Sequence, residues 1–146
     1  MSAWFEIVEH TADVGIRVWG DDLKEVFEAA AKGMVSIVVD SGSVKARVKK
    51  EIRAEAESTE ELLIKWLREI LFSMEQEGII YSRIEVKEAN FYRREGNSYF
   101  VLGSLGGERL NMTRHGICTE IKAVTRHGFF LKRRKRGWEA QILFDV

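Results

Sequence analysis

The sequence predicts one α+β domain spanning 1–146, with two amphipathic helices packed on a largely antiparallel β-sheet. Three observations lead there. Two segments carry apolar residues at spacings of three and four, each opened by a capping signature. Almost everything else alternates apolar and polar residues with a period of two. The chain has 146 residues, 45% apolar and 32% charged, with no proline, so it can fill one core and hardly a second. The same composition excludes an intrinsically disordered chain.

Trp4 to His10 reads as a strand, with Phe5 and Ile7 on one face and Glu6 and Val8 on the other. The turn Thr11-Ala12-Asp13 leads into Val14, Ile16 and Val18, which alternate with Gly15, Arg17 and Trp19. The two strands are close enough to form a hairpin with Asp13 in or beside its turn. Asp22 with Glu25 forms a capping box for a helix. Its stripe of Leu23, Val26, Phe27, Ala30 and Met34 runs to about Val39. After the loop 40–43, Val44 to Ala56 alternates as a strand with one wet face. Ser58 and Glu61 cap the second helix, whose broad stripe is Leu62, Leu63, Trp66, Leu67, Ile70, Leu71 and Met74, and Gly78 fits a left-handed cap at its end. The remaining strands are Tyr81–Phe91, Ser98–Leu105, Thr119–Arg126, Phe129–Lys132 and Trp138–Phe144, with a turn at 94–97.

The segment Met1-Ser2-Ala3-Trp4-Phe5-Glu6 has neither the basic nor the long apolar region of a signal peptide. No apolar run approaches the roughly 18–20 residues needed to span a bilayer. One cysteine, Cys118, excludes an internal disulfide framework and a cysteine-built zinc cage. The expected location is the cytoplasm, a reducing compartment. A formal net charge of zero hides an asymmetry: residues 1–90 hold 12 Lys and Arg against 18 Asp and Glu, and residues 91–146 hold 11 against 5. Either one face is basic and meets phosphate or an acidic partner, or the two halves pair within the fold.

Enzyme signatures are scarce. There is no phosphate-binding glycine loop and no nucleophile elbow. Gly103-Ser104-Leu105-Gly106-Gly107 reads as a bulge or a strand end. Cys118 has His115 three residues before it and His127 nine after, but nothing in the spacing requires a nucleophile and base, and a buried or half-buried structural thiol is the preferred reading. Lys132-Arg133-Arg134-Lys135-Arg136 is either a solvated hairpin tip or a phosphate contact. At the carboxyl end the alternation of Ile142, Phe144 and Val146 with Leu143 and Asp145 runs to the last residue. A strand pairing there pins the terminal carboxylate beside Asp145, and two anions so close call for a cation. With Asp13 nearby, hard oxygen ligands converge and suit Ca²⁺ or Mg²⁺; otherwise Asp145 is an exposed acid on a loose tail.

Three segments together resemble the archease family: Glu9-His10-Thr11-Ala12-Asp13-Val14-Gly15-Ile16, Glu120-Ile121-Lys122-Ala123-Val124-Thr125-Arg126-His127, and Trp138-Glu139-Ala140-Gln141-Ile142-Leu143-Phe144-Asp145-Val146. The resemblance covers the whole chain and implies an accessory protein rather than an enzyme. Its expected partner is the RtcB-type RNA ligase of tRNA splicing, whose guanylylation and turnover archeases promote and whose nucleotide choice they widen. The alternative is a chaperone-like modulator of an RNA-modifying enzyme such as a tRNA methyltransferase, an association the family also carries, or a binder of tRNA through the basic strands. The family's metal, expected to be calcium, falls by position on Asp13, Asp145 and Val146, the last through its backbone or terminal carboxylate. His10, Lys122, His127, Lys132, Arg133, Arg134, Lys135 and Arg136 are the candidate partner or phosphate contacts. Two features depart from the family pattern: Arg126 replaces an aromatic residue, and the run 132–136 is unusually basic.

Overall fold

In the computed structural model, which describes residues 3–9, 13–95, 98–116 and 119–146, each of two helices touches both of two antiparallel sheets. The chain runs β1 (Trp4–Glu9), β2 (Asp13–Gly20), α1 (Leu23–Val38), a 3₁₀ turn (Ser41–Ser43), β3 (Val48–Ala56), α2 (Thr59–Glu77), β4 (Ile79–Glu95), β5 (Ser98–Arg109), the short α3 (Met112–His115), β6 (Ala123–Arg133) and β7 (Trp138–Asp145). The α+β class and the antiparallel pairing are as the sequence predicts. The strands divide into two sheets, β1-β2-β7-β6 and β3-β5-β4. A period of two states which face of a strand is buried, not which neighbour it pairs with.

The helices form where their caps place them. The Glu25 amide donates to Asp22 Oδ1 at 2.9 Å while Glu25 Oε1 accepts from the Asp21 amide at 2.7 Å. The Glu61 amide donates to Ser58 Oγ at 3.1 Å. Gly78 closes α2 at φ 64°, which costs a residue without a Cβ least, and its amide reaches the Met74 carbonyl at 2.9 Å. Helix α1 is buried over most of its circumference, because the four-stranded sheet covers one side and β4 the other. Phe5 and Ile16 press on Gly33, whereas on β4 the Val86 amide donates to Glu28 Oε2 at 2.8 Å and the Phe91 ring lies 4.6 Å from that of Phe27. The small residues Ala29, Ala30, Ala31 and Gly33 make that double approach possible. Trp66 joins the layers: fully buried on α2, it donates from Nε1 to the Phe27 carbonyl at 3.1 Å and covers β5 at Gly103.

Several assignments differ from the sequence expectation: β4 runs longer at both ends, β5 continues to Arg109, and the short α3 has no counterpart in it. Pairing begins at Val48 rather than Val44, and residues 44–47 hold to β5 by the Arg47 amide on the Gly107 carbonyl and the Lys45 amide on the Glu108 carboxylate. The two strands expected across 119–132 are one strand, β6, with an irregularity between Thr125 and Phe130. The run 103–107 is neither bulge nor strand end but continuous strand, and the irregularities lie opposite its two ends in β4, between Tyr81 and Arg83 and between Val86 and Glu88. Its glycines are there for contact: a Cβ on Gly103 would enter the Trp66 ring, and one on Gly107 would meet the Ile80 carbonyl.

Candidate functional site

The four-stranded sheet has a buried and an open face. Ile16, Val18, Ala140, Ile142 and Phe144 are completely buried, so their alternating neighbours on β2 and β7 face outward. Directly opposite residues of an antiparallel pair share a face. The register therefore lays the outer face out in rows. At one end Asp13 of β2 pairs with Asp145 of β7, which pairs in turn with Ala123 of β6. Next come Val8, Gly15, Leu143 and Thr125, then Glu6, Arg17, Gln141 and, on β6, Phe130. The far row is Trp4, Trp19, Glu139 and Lys132.

The acidic row is anchored at the chain end. The Lys122 amide donates to the Asp145 carbonyl at 2.7 Å, and Val146 is half-buried against the core. The last strand is thus held on both sides, so Asp145 is not on a loose tail. Asp145 is exposed and Asp13 half-buried, and their Cα atoms face each other across one ladder step, about 4.5–5.5 Å in such a pair. Among the described residues no group of three or more His, Cys, Asp or Glu side chains is placed to hold a metal. Among the described residues, the remaining donors for a cation here are the terminal carboxylate, backbone carbonyls and water. That donor set is all hard oxygen, which fits Ca²⁺ or Mg²⁺ and not Zn²⁺.

The other candidate residues scatter. His10 and Cys118 lie outside the described residues. Lys122 is exposed beside the acidic row, and His127 is exposed in the irregular part of β6. Arg126 points its charge at α2, with Nη1 2.5 Å from Glu61 Oε1. The basic run sits at the opposite end of the sheet from Asp145, one length of β7 away, roughly 23 Å. There Arg134 Nε lies 2.8 Å from Glu139 Oε1, Arg133 lies over the Trp138 ring and Lys132 over Phe130, while Lys135 and Arg136 are exposed in the turn. His115 is no free base for a thiol: it is buried, its Nδ1 accepts from the Asn111 amide at 2.9 Å, and its Nε2 faces Glu108 Oε1 at 3.3 Å. Sequence reasoning passed over the outward row at the basic end. Alternation places Trp4, Arg17 and Trp19 on one side of their strands, but only the register joins them to Glu139 and Phe130.

Known proteins match this chain over nearly its whole length. The model of the archease protein family (MTH1598/TM1083) matches residues 5–146. Protein archease of Methanosarcina acetivorans is 35% identical over 142 residues, covering 97% of this chain and 95% of that one. The Methanopyrus kandleri protein of the same name is 37% identical, covering 97% and 99%. That of Pyrococcus furiosus is 34% identical over 147 residues and covers both chains completely. The solution structure of Methanobacterium thermoautotrophicum protein 1598 superposes with a TM-score of 0.83 at 31% identity, over 97% of this chain and 98% of that one. The similarity thus runs from β1 to the last residue, through the hairpin that ends at Asp13 and the strand that ends at Asp145, and the chain belongs to the archease family.

Proposed function

We propose that this protein is an accessory factor that activates an RtcB-type RNA ligase by promoting its guanylylation and turnover, with no turnover of its own. One observation carries the reading. Of the three segments that bear the family resemblance, the first lies at the opposite end of the chain from the other two, yet they supply β2, β6 and β7 and meet in the row of Asp13, Asp145 and Ala123. Packing explains their apolar positions and leaves two outward acids, Asp13 and Asp145, with no structural role among the described residues. Asp13, Asp145 and the Val146 carboxylate are the residues that hold a hard divalent cation, calcium first. When bound, that cation would offset two of the three clustered negative charges and supply an electrophilic centre for a partner's phosphate or carboxylate oxygens. The chain's own part is positional: the Lys122 amide fixes β7 against β6, and the register fixes Asp13 against Asp145. The protein works in the cytoplasm in this reading. No helix among the described residues is long and apolar enough to cross a membrane.

The test is guanylylation of the cognate ligase from GTP without RNA, with and without this chain. Faster and repeated guanylylation supports the reading. An unchanged rate at every ratio of the two proteins sinks it.

A further inference from the structure

The end of the open sheet face opposite Asp145 carries a second, differently built surface. Trp4 and Trp19 are cross-strand partners whose rings stack at 3.8 Å with 11° between their planes, and Trp4 stays 43% exposed. Single exposed rings are ordinary, but here the pair lies among ordered cations. Two strands away the Phe130 ring has Lys132 Nζ at 4.9 Å, Arg17 Cζ at 5.7 Å and Arg134 Cζ at 5.9 Å from its centroid. Arg17 is held by Gln141 Oε1 at 2.6 Å, and Arg134 by Glu139. These partners set the guanidinium groups in place before any ligand arrives. Lys135 and Arg136 extend the positive charge into the turn.

The balance of charge selects the occupant. Arg17 and the five cations of 132–136 share this end with Glu6 and Glu139, and Glu139 already faces both Arg17 and Arg134. Asp21 lies beside the turn, and Glu25, Glu28 and Lys32 line the pocket beside Trp4, so the positive excess sits on the β6–β7 side of the patch. An acidic peptide would use the cations and leave the rings idle. A single-stranded nucleic acid uses both, because every base has a face to stack and every phosphate a charge to neutralise. The two features lie on one face, roughly 14 Å apart across three strand spacings.

We infer that this end of the outer sheet face binds single-stranded RNA, with Trp4 stacked on Trp19 as the platform for a base and Lys132, Lys135 and Arg136 as phosphate contacts. The inference goes beyond ligase activation and does not depend on it. Binding is measured on the full chain with no ligase present, so either reading can fail alone.

The probe is a fluorescein-labelled, unstructured RNA of about 12 nucleotides, within the span of a single-strand site, followed by anisotropy. Saturable binding is expected, weakening roughly ten- to twenty-fold between about 50 and 200 mM salt, the change for about three neutralised phosphates. Trp4→Ala should weaken it about ten-fold, as loss of one stacked base does. The double variant Lys135→Glu/Arg136→Glu alters only exposed turn residues; it should weaken binding and flatten the salt dependence. The inference is overturned by no saturable signal at about 100 μM protein, a concentration at which even non-specific phosphate binding registers. It is equally overturned if both variants bind like the wild type, if a duplex binds as well as the single strand, or if polyglutamate of matched charge competes as well as unlabelled RNA.

Discussion

Asp13 and Asp145 stand outside the core, one half-buried and one exposed, so their chemistry can be removed without unmaking the fold. Asp13→Ala and Asp145→Ala are each expected to abolish ligase stimulation while shifting stability by about 0.5 kcal/mol or less, as surface changes do. Guanylylation assays with thermal unfolding check both, and stimulation at the wild-type level by either variant removes the acidic row from the mechanism. The metal prediction has a sign. Donors that are all oxygen favour hard cations, so calcium should bind more tightly than zinc. Calorimetry with Ca²⁺, Mg²⁺ and Zn²⁺ measures this; zinc bound far more tightly than calcium would point to His10 or His127 instead. Val146 sharpens the test. A few residues added after it turn a terminal carboxylate into a neutral peptide carbonyl, whereas Val146→Ile keeps the charge and adds one methylene, costing about 1–3 kcal/mol at worst in a tight site. Extension should therefore lower calcium affinity and ligase stimulation more than the isoleucine does. Equal activity of the extended and native chains would show the free carboxylate to be dispensable.

Between α2 and its neighbours, stability rests on a few shape-specific contacts. Trp66→Ala should cost about 3–5 kcal/mol, because it opens a cavity and removes the indole bond to the Phe27 carbonyl. Gly103→Ala should cost about 1–3 kcal/mol by overpacking against the same ring. The two losses are not expected to add: with the indole gone, the alanine methyl has room. A denaturant double-mutant cycle measures the difference, and strict additivity would mean that Trp66 does not rest on Gly103. Tyr81 gives this region a pH signature. Burial lifts its hydroxyl above the usual tyrosine range, partly offset by the 2.6 Å hydrogen bond with Ser73. A raised value means the folded state favours the neutral phenol. Its contribution is complete below the ordinary tyrosine range and is lost as pH rises through the folded value. Tyr81→Phe should therefore cost about 1 kcal/mol near neutral pH and make the alkaline fall in stability shallower. An alkaline limb unchanged in the phenylalanine variant would assign that fall to other groups.

Across the molecule, the open face of the four-stranded sheet runs from an acidic row at the chain terminus to a basic, aromatic row at the β6–β7 turn. Both helices, their caps and their core stripes were legible from local signals. Asp22 and Ser58 satisfy amides three residues away, and the stripes repeat within one or two turns. Asp13 and Asp145 were legible as candidates because each ends an alternating run. That they share a row was not, since it requires β7 to insert between β2 and β6, joining the two ends of the chain. Nor could alternation tell that β3, β4 and β5 form a sheet of their own, or that Gly103 lies mid-strand beneath Trp66. A strand's own residues decide which of its faces avoids water. Which edge it hydrogen-bonds is decided by how two helices can be covered on both sides at once, and that is settled by packing between residues far apart in the chain.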